Sequence, residues 1–245
     1  MAEFVLDLFT LFGPLPPRGA EPGVVPLQAL LTKHGVAGGV TLSTRALYHN
    51  AHAGNRETQA LCAEAGGTLL PAALLDPRLA DPLATVGNAR LLCFLPATQG
   101  WPLPFAPVAD LFTEISGSRT PVWIEAARLG DATQIAEAVK AANMTQSVIL
   151  GGVTGATLSE AVSVARKHTN LMLATNGLQG VGEIALAVKT LGAERVVFAS
   201  GVPHRALGAT LALHRHSGLT PEQENLVMGG NTKKLMASSN GGGAS

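Results

Sequence analysis

The chain has 245 residues, 47% hydrophobic and 14% charged, with 17 basic and 17 acidic side chains. That length and apolar content suit one large α/β domain with a sizeable core. Zero formal net charge argues against an electrostatic nucleic-acid or anionic-membrane partner, and a mean hydropathy of +0.27 is compatible with a homo-oligomer.

In chain order, residues 4–13 read as a first strand: apolar or β-branched residues, one acid, then a glycine stop. The proline- and glycine-rich stretch 14–26 is a loop. A helix is expected over 27–33, a second strand over 39–42, a long loop through 47–52, and a helix capped by Asn55 and running to Glu64. Residues 68–75 read as the third strand despite Pro71. A short helix near 82–86 precedes a fourth strand at 89–94, and a loop over 96–107 leads to a helix over 108–116. The fifth strand is 121–125, followed by a helix over 132–142 and a sixth strand at 147–150. A helix capped by Thr157 or Ser159 runs to Lys167, the seventh strand is 170–175, and a helix over 182–191 leads to the eighth strand at 195–199. Helices over 204–214 and 221–235 complete a domain of residues 1–237, and the Ser/Gly-rich 238–245 reads as a loose tail.

Eight strands alternating with about eight helices predict a single-domain (β/α)8 TIM barrel. The later strands are unbroken apolar runs, as expected for strands covered on both faces. A doubly wound open sheet is the alternative, weakened because no G-x-G-x-x-G follows the first strand. Cys62 and Cys93 read as buried small hydrophobes, not a disulfide framework. Met1-Ala2-Glu3 has no basic segment, Asp7 breaks the apolar run after it, and no stretch reaches about 18 apolar residues. The expectation is a soluble cytoplasmic chain.

In such barrels chemistry sits at the C-terminal strand ends. Alternation along the first strand puts Asp7, Phe9 and Leu11 on one face, taken as inward. Asp7-Leu8-Phe9-Thr10-Leu11 resembles the D-x-H-x-H opening of the amidohydrolase superfamily with both histidines replaced. Further stretches match in order: Gly54-Asn55, Leu75-Asp76-Pro77, Thr120-Pro121-Val122-Trp123-Ile124, the closing Leu191-Gly192-Ala193-Glu194-Arg195 through Ser200-Gly201-Val202-Pro203-His204, and Gly230-Asn231-Thr232-Lys233-Lys234-Leu235. The resemblance covers nearly the whole chain and is most specific at the eighth strand. It implies the amidohydrolase-related branch of metal-dependent hydrolases and decarboxylases.

The same resemblance places the family's metal-binding residues at Phe9, Leu11, Glu125, Gly152 and Gly201, the last being the catalytic aspartate position. Of these, Glu125 alone keeps an oxygen donor. A catalytic divalent site needs about three N or O ligands and an open position. Without the ion, water keeps its bulk pKa near 15.7 rather than about 7. No metal and no other cofactor is therefore expected.

The surviving polar groups are few. Glu125 reads either as an acid or base in a low-dielectric mouth or as a partner of Arg128. His204 reads as a proton donor or a helix-entry residue. Phe12, Arg45, Arg128 and Asn176 are candidates for a ligand pocket. His49 and His52 have the spacing of a helical pair but no third ligand nearby. His214 and His216 read as protonated imidazoles at a helix C-terminus. Gly151-Gly152-Val153-Thr154-Gly155 resembles a phosphate cradle weakly. The expected function is a catalytically degenerate amidohydrolase-like barrel, a small-molecule binder or the partner of a related amidohydrolase subunit. The alternative is a metal-independent hydrolase or decarboxylase using Glu125 and His204.

Overall fold

The computed structural model of the chain describes residues 4–15 and 23–239. The order is β1 (Leu6–Phe12), α1 (Val24–Lys33), β2 (Gly38–Ser43), α2 (Thr44–Tyr48), α3 (Ala51–Glu64), β3 (Leu69–Leu74), β4 (Leu91–Phe94), α4 (Pro96–Gln99), α5 (Ala106–Ile115) and β5 (Val122–Glu125). It continues through α6 (Asp131–Ala141), β6 (Val148–Gly151), α7 (Leu158–Ala165), β7 (Leu171–Ala174), α8 (Glu183–Leu191), β8 (Val196–Val197), α9 (Leu207–Arg215), α10 (Pro221–Asn225) and α11 (Asn231–Ser238). The strands form one parallel sheet in sequence order. Backbone bonds from Leu8 N–H to Phe198 O (3.1 Å), Gly201 N–H to Phe9 O (3.1 Å) and Leu11 N–H to Val202 O (2.7 Å) join the end of the sheet to its start. The result is the expected single-domain TIM barrel.

Period-2 alternation sorts the strand residues into two cores. Val40, Leu42, Leu74, Leu91, Cys93, Trp123, Ile149, Met172 and Val197 fill the barrel interior. Their neighbours Leu92, Phe94, Val122, Ile124, Val148, Leu150, Leu171, Leu173 and Val196 pack outward under the helices. β1 departs from this rule. Its register shifts between Asp7 and Thr10, and Leu8, Phe9 and Leu11 all enter the interior cluster. A bulge of this kind breaks alternation. Asp7 therefore does not share the face of Phe9 and Leu11, as simple alternation predicted. It sits beside Gly39, where an added Cβ would lie 3.1 Å from the Asp7 Cβ.

The motifs that carried the resemblance hold the scaffold. A Cβ on Gly54 would come within 2.1 Å of the Ala46 backbone, so only glycine lets α3 approach α2 this closely. Asn55, expected as an N-cap, lies inside α3; Asn50 caps that helix by accepting from Ala53 N–H. The buried Asn55 amide instead brackets the β3 backbone, donating to Leu74 O (2.9 Å) and accepting from Leu74 N–H (2.8 Å). Arg195 donates to Leu171 O and His168 O at the α7–β7 turn. Asn231 donates to Ala193 O (2.7 Å) and Val196 O (2.8 Å).

Other local expectations are corrected. The loop expected through 47–52 is mostly helical, because Ser43 caps α2 and α3 begins at Ala51. Residues 82–86 form turns rather than a helix, and 96–99 form α4. The helix expected from His204 starts at Leu207. The helix expected over 221–235 is interrupted by a π-turn at Leu226–Gly230, where Val227 O is free to accept from Phe198 N–H at 2.9 Å. Ser238 ends α11 and the Ser239 hydroxyl accepts from Arg90 Nε at 2.7 Å, so the loose tail does not begin at 238; residues 240–245 lie outside the described residues. Residues 16–22 of the expected loop also lie outside them.

Candidate functional site

At the C-terminal ends of the strands the barrel opens into a cavity of about 320 Å³ lined by, among others, Phe9, Leu11, Tyr48, Trp123, Glu125, Gly152, Asn176, Gly201, His204 and Arg205. The five positions where the resemblance places metal ligands therefore converge on one mouth.

The floor is aromatic. The Phe9 ring stacks on Trp123 with centroids 4.4 Å apart and planes 11° from parallel. Such a pair adds about 0.5–1.5 kcal/mol beyond the area it buries. The indole fits because its neighbour on β6 is Gly151: a Cβ there would lie 2.1 Å from the ring. Trp123 and Glu125 are two apart on β5, so both turn inward at the mouth. That spacing was a sequence signal for Trp123 that reading the strand only as an apolar run overlooked.

The rim is polar and mostly engaged. Glu125 accepts through one oxygen from Thr98 N–H (2.8 Å) and through the other from the Thr98 hydroxyl (2.8 Å), fixing α4 over the mouth. It does not pair with Arg128, which binds Asp131 at 3.4 Å. Five other carboxylates also tie chain segments on this face. Glu57 accepts from the Ser43 hydroxyl (2.6 Å), Asp76 from Arg78 Nη2 (2.7 Å), Asp131 from Arg128 N–H (2.8 Å), Glu160 from Gly130 N–H (2.8 Å) and Glu183 from Gly180 N–H (2.8 Å). Tyr48 stands near Glu125; burial first and that carboxylate second push its phenol above the ordinary tyrosine value.

Asn176 Oδ1 accepts from Gly152 N–H at 2.9 Å. Thr154 N–H donates to the Thr157 hydroxyl at 3.0 Å. Two amides of the weak phosphate cradle are thus already satisfied. His204 is exposed in the turn before α9, and its N–H donates to Gly201 O at 3.1 Å. Of the four pocket candidates, Asn176 lines the cavity. Phe12 does not, because it packs in the core between β1 and the helices with Phe198 and Leu207. Arg45 turns out to Glu57 at 3.5 Å and Arg128 out to Asp131. Thr98, Tyr48 and Arg205 were missed; only Arg205, beside His204 in sequence, had a nearby signal.

The residues present do not fit a divalent ion. Phe9 and Leu11 offer carbon where imidazoles would stand, and Gly152 and Gly201 offer no side chain. Both glycines have positive φ, +70° and +67°, a region that strains any side chain placed there. Among the described residues no group of three or more His, Cys, Asp and Glu is arranged to hold a metal. His49 ends α2, while His52 belongs to α3 and pairs with the Thr85 hydroxyl at 3.1 Å.

Two buried ionisable groups lie away from the mouth. Asp7 is fully buried between β1 and the end of β8. Its Oδ1 accepts from Ser200 N–H (2.9 Å) and Phe9 N–H (3.2 Å), and its Oδ2 has no partner among the described residues. Burial raises its pKa to about 7, against the opposing pull of the Ser200 and Phe9 bonds. His214 is buried rather than a protonated helix-end imidazole. Thr210 O, at 2.8 Å, can only accept, so Nδ1 carries the hydrogen and Nε2 accepts from the Thr175 hydroxyl at 2.9 Å. Burial lowers its pKa to about 4.

No family model and no curated protein sequence matches the chain. Solved structures do. An uncharacterized TIM-barrel protein from Bordetella bronchiseptica shares 15% identity with a TM-score of 0.77 over 96% of this chain and 99% of its own. An amidohydrolase 2 from Bifidobacterium longum subsp. infantis shares 15% identity with a TM-score of 0.69, over 95% and 98%. The 5-carboxyvanillate decarboxylase from Sphingomonas paucimobilis shares 11% identity with a TM-score of 0.71, over 96% and 99%. The chain has the TIM-barrel fold of these structures. No helix among the described residues is long and apolar enough to cross a membrane.

Proposed function

We propose that this barrel is a metal-independent small-molecule-binding protein rather than a hydrolase of the metal-dependent kind. The observation that carries the reading is the stack of Phe9 on Trp123, which fills with aromatic carbon the place where the resemblance puts a metal-binding imidazole. An apolar floor, a few convergent polar groups and a volume of about 320 Å³ are the ordinary makings of a ligand pocket. Catalysis by Glu125 and His204 has less support. Glu125 is tied to Thr98 by both oxygens, which gives it the work of holding α4 over the mouth.

The test fills the mouth. Ala127 lines the cavity and is half-buried in the loop after β5. Some members of a panel of small aromatic fragments are expected to raise the Tm of the wild-type chain by a few degrees, because a ligand that binds the native state stabilises it by mass action. Ala127→Trp is expected to fold with a similar Tm and to lose that response. Equal responses from both chains would place binding elsewhere. Turnover of a lactone, amide or aryl carboxylate that Glu125→Gln abolishes would replace binding with catalysis.

A further inference from the structure

The mouth is not a closed cup. A second cavity of about 450 Å³ adjoins it over the start of α9 and shares Asn176, His204 and Arg205 with it. Its other walls are largely apolar, including Leu178, Ala209 and Leu213. The two therefore form one cleft running from the aromatic floor outward.

The mouth carries opposite charges on its two sides. Glu125 closes β5 and Arg205 follows β8, three places apart in a ring of eight strands, so they reach the mouth from across it. A carboxylate has about four acceptor sites, and Thr98 uses two at Glu125. The Gln179 amide lies against the Arg205 guanidinium, its oxygen assigned to the side of Nη1 and Nη2. The planar guanidinium has five donors, which leaves capacity for a bidentate carboxylate. Among the described residues no carboxylate forms an ion pair with Arg205.

Resting on the ligand-binding reading above, we infer that the cleft takes an amphoteric small molecule: an ammonium group at Glu125, a carboxylate at Arg205, and a flat apolar body over Phe9 and Trp123 between them. A purely anionic ligand would meet Glu125, and a purely cationic one would leave Arg205 unanswered.

Isothermal titration calorimetry at low ionic strength with four probes tests this: 4-(aminomethyl)benzoate, 4-methylbenzylamine, 4-methylbenzoate and 4-methylbenzyl alcohol. 4-(Aminomethyl)benzoate is expected to bind at least about tenfold more tightly than the other three, the size expected of one charge-assisted contact. Glu125→Gln is expected to erase its advantage over 4-methylbenzoate, and Arg205→Gln its advantage over 4-methylbenzylamine. Equal binding of all four, blocked by Ala127→Trp, would overturn the amphoteric class and leave the ligand-binding reading standing. Binding of none would overturn the class, and a fragment panel that also gives no response would overturn the reading beneath it.

Discussion

Asp7→Asn is expected to free the barrel of a pH-dependent loss of stability on the order of 4 kcal/mol between pH 3 and pH 8. The wild-type carboxyl has a folded pKa raised from 3.8 to about 7. At one pKa unit per about 1.4 kcal/mol, that shift sets the magnitude. Below about pH 4 the group is protonated in both states and costs nothing. From there to about pH 7 the unfolded chain ionises and the native chain does not, so stability falls as pH rises. Above about pH 7 both states are ionised and the deficit is constant. Asparagine keeps the acceptor for Ser200 and Phe9 N–H and removes the titration. Urea unfolding from pH 3 to 8 reads the difference between the two chains. It should grow with pH and then level; a difference independent of pH would show that Asp7 titrates in the native barrel as it does in the unfolded chain.

His214 produces a slope of the opposite sign. Its folded pKa is lowered from 6.5 to about 4, with burial outweighing the Thr210 bond and the Glu224 charge. Between those values the unfolded chain binds a proton that the native chain refuses, so stability falls as pH drops from about 6.5 to 4. The loss is on the order of 3 kcal/mol. His214→Gln should lower stability at pH 7 by about 1–3 kcal/mol, because the imidazole bridges Thr210 O and the Thr175 hydroxyl. It should also remove this acid-side slope. In the wild-type chain the two groups oppose each other between about pH 4 and 6.5. Asp7→Asn exposes the histidine slope and His214→Gln the aspartate slope. A His214→Gln penalty that stays constant from pH 7 to 4 would show that the imidazole takes up its proton in the native state as readily as in the unfolded chain.

The barrel was legible because its signal is repeated. Eight short apolar runs separated by helical stretches admit few architectures, and each run needs only approximate bounds. The scaffold motifs were legible for a similar reason. Gly54, Asn55, Arg195 and Asn231 bond or approach backbone, and backbone is present whatever the side chains do. The bulge in β1 was not legible, since nothing in Leu8-Phe9-Thr10 distinguishes a bulge from regular pleating. That slip reversed the facing of Asp7. The convergence of Phe9, Leu11, Glu125, Gly152 and Gly201 on one mouth followed from the resemblance. Their replacement by Trp-stacked carbon and left-handed glycine depends on contacts across three strands. Arg45 and Arg128 were misplaced for a simpler reason: an exposed arginine is drawn to a neighbouring carboxylate, Glu57 for Arg45 and Asp131 for Arg128.

Elemental analysis of the purified full chain, incubated with excess zinc or manganese and then desalted, tests the central claim most directly. A mouth with Phe9 on Trp123, and glycine at positions 152 and 201, is expected to retain far less than one ion per chain. One tightly held ion per chain, lost in Glu125→Gln, would contradict the account and return the barrel to metal-dependent chemistry.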